Sequence, residues 1–301
     1  MKLRRLASSA LVVNLAVIVW GGYVRASGSG AGCGSHWPLC NGTIIPSAPA
    51  AATIIEYAHR ITSGLALILV AWLVWRVFAT PHSGRPIRRA AIASMVLIVS
   101  EALIGAGLVL LRLVGDNSSW LRALYLAGHL TNTFALLAAL TTTVLLAERP
   151  ETATFRNQAG HRLTLLALGL ILLVGMTGAI TALGDTLFPV GSLAEGLAQD
   201  RSATAHFLLR LRIIHPILAT AVAGFVCWRA ASIMNDPETS FARGAAWWVV
   251  VLGMGQVAVG VTNLLLLVPI WTQLVHLLFA DLWWIAAVGL TVRTKWGPTG
   301  E

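Results

Sequence analysis

The sequence predicts an all-α, polytopic membrane protein with eight transmembrane helices. Of its 301 residues, 57% are hydrophobic and only 11% are charged, whereas soluble domains carry about 25% charged residues. The apolar residues form long stretches, and a helix needs roughly 20 of them to cross the ~30 Å hydrocarbon core. The lipid bilayer is therefore a predicted partner. Nucleic acid is not a predicted partner, although the net charge is +9.

The eight apolar stretches are numbered here as segments one to eight in chain order. Each is long enough to span a bilayer as a single helix. Their approximate ranges are 6–25, 54–79, 88–114, 120–147, 162–184, 206–232, 243–267 and 270–292.

The basic residues predict the orientation of the chain. When the N-terminus is placed inside, most of the 21 basic residues fall on the inner side, and the positive-inside rule then places both termini in the cytoplasm. No signal-peptide cleavage site precedes Tyr23, so we expect a multi-pass protein of a bacterial inner (plasma) membrane. The inner basic residues are Lys2, Arg4, Arg5, Arg76, Arg85, Arg88, Arg89, Arg149, Arg156, Arg162, Arg229, Arg243, Arg293 and Lys295.

An internal repeat is predicted from matched residues in the two halves of the chain, separated by 147 to 156 positions. The matched pairs are His59 with His215, His129 with His276, Glu101 with Gln256, and Gly105 with Gly260. Because each copy holds four segments, both copies have the same orientation, which defines a parallel repeat. We expect two four-helix bundles, residues 1–150 and 151–301, with their boundary in an inner linker at about 148–161.

Four histidines are the candidate ligands of a metal or a haem. His59, His129, His215 and His276 lie on segments two, four, six and eight, within two or three turns of the outer end. Polar groups inside lipid are costly and usually have a partner. Two imidazoles on facing helices are a standard arrangement for holding haem. One pair per half predicts two haem sites toward the outer face, with each haem iron bound by two histidines.

Two other readings of the histidines stay open at this point. Each could form an ordinary hydrogen bond between helices. Zinc is a weaker alternative, because it needs three or four converging ligands and each half offers two intramembrane histidines. Four histidines at matched depth and in register with a repeat favour haem.

Outer-side arginines interrupt the charge bias and have two interpretations. Guanidinium groups pair well with carboxylates such as haem propionates, but they also reach toward lipid phosphates from a membrane helix. The candidate propionate contacts are Arg25, Arg60, Arg122 and Arg212.

Glu56 is the candidate catalytic residue. It precedes His59 by three positions, so both side chains project from one helix face. A carboxylate there could accept a proton or stabilise developing positive charge. The alternative is a capping box formed by Thr53 and Glu56. Arg212 occupies the repeat-related position, which predicts unequal halves with one working site and one electron-supplying site.

Three further features leave alternatives open. Glu101 and Asp281 could belong to a proton path or hydrogen-bond a neighbour. Cys33 and Cys40 lie in the first outer loop, where an oxidising compartment permits a disulfide. Because His36 lies between them, a metal site is the rival interpretation of the loop.

Nearly the whole chain resembles the haem A synthase family of bacteria and mitochondria. The resemblance rests on Gly22-Tyr-Val-Arg25, Gly28-Ser-Gly30, the Cys33…Trp37-Pro38…Cys40 loop, Glu56-Tyr-Ala-His59-Arg60, His129, His215 and His276. Some bacterial members carry a second cysteine pair between segments five and six, and residues 184–205 of this chain contain no cysteine.

The resemblance implies an oxidoreductase that converts a methyl group of haem O to the formyl group of haem A. It implies a haem b cofactor at His215 and His276, the substrate haem at His59 and His129, and a catalytic role for Glu56. A methyl group has no acidic or electrophilic handle, so a cofactor must supply the oxidant. Two hydroxylations followed by loss of water would give the aldehyde.

The implied partners include haem O, haem A and a membrane quinol that donates electrons through haem b. Haem O synthase and cytochrome oxidase assembly factors are further candidates, and a homo-oligomer is left open. The main rival function is a di-haem membrane cytochrome b that only carries electrons from quinol, which gives Glu56 no role. A second rival is a transporter with a parallel repeat, which predicts no haem.

Overall fold

The structure is a computed structural model that describes residues 2–47, 49–81, 83–148 and 160–295. Within these residues, eight helical spans are long and apolar enough to cross a membrane, which confirms the predicted all-α class and the number of spans. The predicted inner linker and its boundary between residues 150 and 151 lie mostly outside the described residues. Arg149 and Arg156 also lie outside them.

In the described part of the chain, ten α-helices make up these spans and the connections between them. They are α1 (Leu3–Ala26), α2 (Ala51–Ala79), α3 (Arg85–Leu110), α4 (Trp120–Leu146), α5 (His161–Leu187), α6 (Leu193–Arg201), α7 (Phe207–Arg212), α8 (Ile214–Asn235), α9 (Arg243–Leu265) and α10 (Ile270–Lys295). Segment six corresponds to α7 and α8 together.

Segment six is broken where a single helix was predicted. Helix α7 ends at Arg212 and α8 begins at Ile214. Pro216 has no backbone N–H, so it cannot donate to the carbonyl of Arg212 one turn earlier, and its ring crowds that carbonyl. The helix is therefore interrupted next to the Arg212 carbonyl, which receives no hydrogen bond from Pro216.

Helix α6 lies in the outer connection between α5 and α7 and was not predicted. Ser192 caps it by accepting a hydrogen bond from the Glu195 N–H at 3.2 Å. The Glu195 carboxylate accepts from the Gly191 N–H at 2.8 Å. A serine followed three positions later by a glutamate is a recognisable start signal for a helix, so the sequence did contain the evidence for α6.

The long helices pack in two groups, and α4 belongs to the cores of both. Helices α1 to α4 share one apolar core, which includes Leu73 and Leu140. Helices α5, α8, α9 and α10 share another, to which α4 contributes Phe134. Trp284 stacks on Phe134 with ring centroids 5.0 Å apart and donates its indole N–H to the Phe134 carbonyl at 2.6 Å. The predicted repeat relation between the groups stays a prediction.

Most polar side chains inside the spans are satisfied locally. Thr143, for example, donates to the Ala139 carbonyl one turn earlier at 2.8 Å, which is how a hydroxyl avoids an unpaired group in lipid. Asp281 on α10 differs. It is fully buried, and neither carboxylate oxygen has a hydrogen-bond partner among the described residues. The carboxylate of Glu101 is close enough to act on it electrostatically.

Asp281→Asn is expected to raise the thermal stability of the purified protein. A buried carboxylate without partners costs more than a buried amide, so removing the acid relieves part of that cost. The measurement is the Tm in detergent. Thr272→Val is the control, because Thr272 is also buried but donates to Asn263 at 2.6 Å, and its loss should lower the Tm. A lower Tm for Asp281→Asn would mean that the acid has a stabilising role.

Candidate functional site

The four candidate histidines form two pairs, one in each group of helices. His59 of α2 and His129 of α4 lie close enough to interact electrostatically, and so do His215 of α8 and His276 of α10. At 1.5 Å per residue, the helix bounds place all four about 9–14 Å from the outer helix ends, counting α7 with α8. The structure thus brings together the predicted pairs at the predicted depth. Their role as iron ligands stays a prediction.

Three of the four histidine rings lie directly against a glycine of a neighbouring helix. A Cβ on Gly21 of α1 would lie 3.0 Å from Cε1 of His59. The second half makes the same contact twice, His215 with Gly178 of α5 and His276 with Gly260 of α9, both at 2.9 Å. These glycines let each ring stand between two helices where any larger residue would push it out.

His129 has a different environment. Gly105 of α3 is the repeat counterpart of Gly260, yet a Cβ on Gly105 would meet no atom within 4 Å. The His129 ring instead lies beside Glu101, with Nδ1 3.3 Å from Oε1. Glu101 is itself held by two residues of α4, since Asn132 and Thr133 each donate to it at 2.5 Å. This is the one histidine of the four whose ring has a carboxylate beside it in the described structure.

The second pair has uncharged polar neighbours. Nδ1 of His215 lies 3.0 Å from the Thr177 hydroxyl on α5. Nε2 of His276 lies 3.4 Å from the side-chain amide nitrogen of Gln256 on α9. The repeat-related residues Glu101 and Gln256 therefore both lie beside a histidine, but one carries a carboxylate and the other an amide.

The chemistry of these sites fits an iron porphyrin. The buried Nδ1 atoms of His59, His129 and His276 have no hydrogen-bond partner within the part of the chain that the structure describes. Two imidazole rings brought together on neighbouring helices are donors that haem iron uses. The same described residues contain no cluster of three or more histidine, cysteine or acidic side chains that could hold a metal, so zinc is not supported.

Glu56 is buried and joins α2 to the first outer loop. Its Oε2 accepts from the Cys33 N–H at 2.8 Å, and its Oε1 accepts from Arg60 at 2.5 Å. The capping-box alternative is wrong, because α2 begins at Ala51 and Thr53 is already inside the helix. Thr53 donates instead to the Gly32 carbonyl at 2.7 Å. The alternative to a catalytic role for Glu56 is therefore a structural one, in which Glu56 anchors the first outer loop to α2.

The first outer loop is closed by a disulfide between Cys33 and Cys40, whose Cα atoms are 4.4 Å apart. This confirms the expected disulfide and leaves no thiolate in the loop for the rival metal site. Arg60 reaches the loop from α2 and donates to the carbonyls of His36 at 2.7 Å and Leu39 at 2.6 Å. Glu56 and Arg60 thus hold the loop against the helix that carries His59.

The other candidate propionate contacts also have protein partners. Arg122 donates to the carbonyls of Gly115 and Asn117, while its buried Nε has no partner among the described residues. Arg212 pairs with Asp200 at 2.6 Å and with Asp185 at 3.3 Å. Whether any of these guanidinium groups binds a propionate stays a prediction.

Arg25 extends from α1 into the second group of helices. It donates to the Ala182 carbonyl at 2.8 Å, the Thr186 hydroxyl at 2.8 Å and the Gln273 side chain at 2.9 Å. These acceptors lie on α5 and α10, so Arg25 joins the two halves near their outer ends.

The glycines that pack against histidines were not predicted, although a signal existed. Gly178 follows Gly21 by 157 residues, nearly the spacing between His59 and His215. A glycine inside a helix costs about 0.5–1 kcal/mol relative to alanine. A helical glycine that recurs at the repeat spacing therefore indicates a required close approach. The partners of Glu56 and Arg212 had no such signal, because they depend on how loops fold back.

Comparison with known proteins agrees with this arrangement. A family model described as cytochrome oxidase assembly protein matches residues 4–288. Two similar proteins named heme A synthase come from Symbiobacterium thermophilum, 30% identical over 91% of this chain and 89% of the relative, and from Staphylococcus haemolyticus, 28% identical over 92% and 90%.

A third similar protein is named protoheme IX farnesyltransferase and comes from Thermus thermophilus. It is 42% identical over 98% of this chain, and the chain spans half the length of that relative.

The fold and the site define a class, namely helical membrane proteins with a half-buried histidine pair in each group of helices. Within that class, the chain belongs to the cytochrome oxidase assembly protein family.

Replacing the glycines that contact histidines is expected to reduce haem binding. In Gly178→Ala and Gly260→Ala, the new methyl group would lie 2.9 Å from the His215 or His276 ring and displace it. We expect the haem content of the purified protein to fall roughly tenfold, a typical cost of misplacing a ligand. Gly105→Ala is the matched control and should keep its haem. Equal haem content in all three variants would mean that Gly178 and Gly260 are not needed to position the histidine rings.

Proposed function

We propose that this protein is a haem A synthase, which oxidises a methyl group of haem O to a formyl group by successive hydroxylations. The observation that carries the proposal is the geometry of the two half-buried histidine pairs, with the buried carboxylate of Glu56 one turn from His59. An electron carrier would use both pairs but has no role for that carboxylate, which lies beside the first pair alone.

The names of the relatives support the same activity. Two relatives named heme A synthase are matched over about nine-tenths of their own length, so the region shared with this chain makes up nearly all of each. The relative named protoheme IX farnesyltransferase is matched over half its length. Farnesylation of protohaem supplies the haem O that a haem A synthase consumes, so the two names describe consecutive reactions.

In this proposal, the two pairs have different tasks. His215 and His276 hold a permanent haem b, which supplies one-electron redox chemistry when bound. His59 and His129 hold the substrate haem, and the apolar helices around them accommodate its lipid-like tail. Glu56 accepts a proton or stabilises positive charge that develops at the methyl carbon. Arg60 positions Glu56 by holding Oε1, and the disulfide loop shields this end of the site from water.

The remaining features of the proposal concern the setting of the enzyme. A membrane quinol would donate the electrons, and haem O synthase and cytochrome oxidase assembly factors would be its neighbours in the pathway. The protein would lie in a bacterial inner membrane with both termini cytoplasmic and the haem sites toward the outer face. Residues 1–150 would hold the substrate and residues 151–301 the cofactor.

The assignment of the cofactor pair is tested with His215→Ala and His276→Ala. Removing a residue that would hold haem b should abolish the haem b signal in reduced-minus-oxidised spectra of the purified protein. His59→Ala and His129→Ala are the controls, and they should retain haem b but lose conversion of added haem O to haem A. If the wild-type protein holds two haems b and never converts haem O, it is an electron carrier.

The role of Glu56 is tested by comparing Glu56→Gln with Arg60→Lys. Glutamine keeps an oxygen that can accept from the Cys33 N–H but removes the charge, whereas lysine keeps the charge pair but loses most of the loop contacts. Losing a charge aimed at a developing cation can cost ~100-fold or more in rate. We expect Glu56→Gln to lose about that much haem A formation with normal haem b, and Arg60→Lys to lose far less. Similar losses in the two variants would assign Glu56 to loop anchoring.

A further inference from the structure

The two histidine pairs differ most at one repeat-related position, Glu101 in the first half and Gln256 in the second. Both residues lie on the third long helix of their half, and both lie beside the histidine of the next helix. In the first half that neighbour is a carboxylate 3.3 Å from Nδ1 of His129. In the second half it is a neutral amide, and its nitrogen lies 3.4 Å from the other ring nitrogen, Nε2 of His276.

The position of Glu101 is fixed by its surroundings. The Asn132 side-chain amide donates to Oε2 and the Thr133 hydroxyl donates to Oε1, each at 2.5 Å. Asn132 is held in turn, because it also donates to the Leu97 carbonyl at 2.9 Å and accepts from Ser100 at 2.6 Å. The carboxylate is therefore held in place beside Nδ1 of His129, as a charge contact without a hydrogen bond.

A carboxylate beside the remote nitrogen of a ligating histidine has a known physical effect. Its negative charge favours the proton on that nitrogen, fixes the tautomer and the ring orientation, and raises the basicity of the nitrogen that binds iron. A more basic ligand stabilises ferric iron relative to ferrous iron, so the reduction potential of the haem falls. An amide has no full charge and exerts this effect far more weakly.

We infer that Glu101 is a positioning residue for His129, and that it makes the first haem site more electron-rich than the second. The inference rests on the proposed function, in which the first pair binds the substrate haem.

The experiment replaces Glu101 in the full-length protein purified with its resident haem. Haem O is added as the probe of the first site, and both the affinity for haem O and the potentials of the two haems are measured. Glu101→Gln should weaken haem O binding about 10–100-fold and raise the potential of the added haem, with the resident haem unchanged.

Thr133→Val controls for packing, since it removes one donor to Glu101 and leaves the charge in place. Its effect on the potential should be clearly smaller than that of Glu101→Gln. An unchanged potential in Glu101→Gln, or an equal shift in Thr133→Val, would overturn the inference. Failure of the wild-type protein to bind haem O at all would instead overturn the proposed function, so the two failures are distinguishable.

Discussion

The surrounding hydrocarbon is the constraint on which the rest of this structure depends. Lipid offers no hydrogen bonds, so each polar group within a span must find its partner inside the protein. Threonines and serines meet this demand by donating one turn back along their own helix, and Arg25 meets it by reaching across to α5 and α10. The polar atoms left without described partners include the Nδ1 atoms of three candidate histidines. Buried polar atoms of Thr141, Thr181 and Asp281 are also without a described partner, so the protein meets this constraint at most of its polar groups and not at all of them.

The same constraint explains why glycine accompanies histidine. An imidazole can serve a large planar ligand between two helices only if the helix behind the ring leaves room for it. Gly21, Gly178 and Gly260 provide that room, because a Cβ at each would approach the ring to 3.0 Å or less. The close packing of protein interiors means that even one methyl group here would be felt. The site therefore requires glycine at these positions, although glycine lowers the stability of a helix.

Features that depend on residues close together in the chain could be predicted from the sequence, whereas contacts between distant residues could not. Helix number, histidine depth and pairing follow from composition and spacing, because each helix is stable in lipid by itself. The break at Ile213 also had a local cause in Pro216. The partners of Glu56 were out of reach, since the Cys33 N–H and Arg60 meet it only when the outer loop folds back on α2. The contact of Arg25 with Gln273 joins residues 248 positions apart and depends on how the halves pack.

In the predicted repeat, the outer ends of the two copies differ by charged pairs and not by single residues. Glu56 and Arg212 occupy matched positions with opposite charge, and each is partly buried with a partner of the other sign. A buried charge that loses its partner costs about 3–5 kcal/mol. Replacing Glu56 alone would therefore leave Arg60 without its charged partner. Replacing Arg212 alone would leave Asp200 and Asp185 without theirs. Glu101 and Gln256 have no such salt-bridge partner in arginine or lysine among the described residues, so that position could change by one substitution and alter the electronic character of a site without rebuilding it.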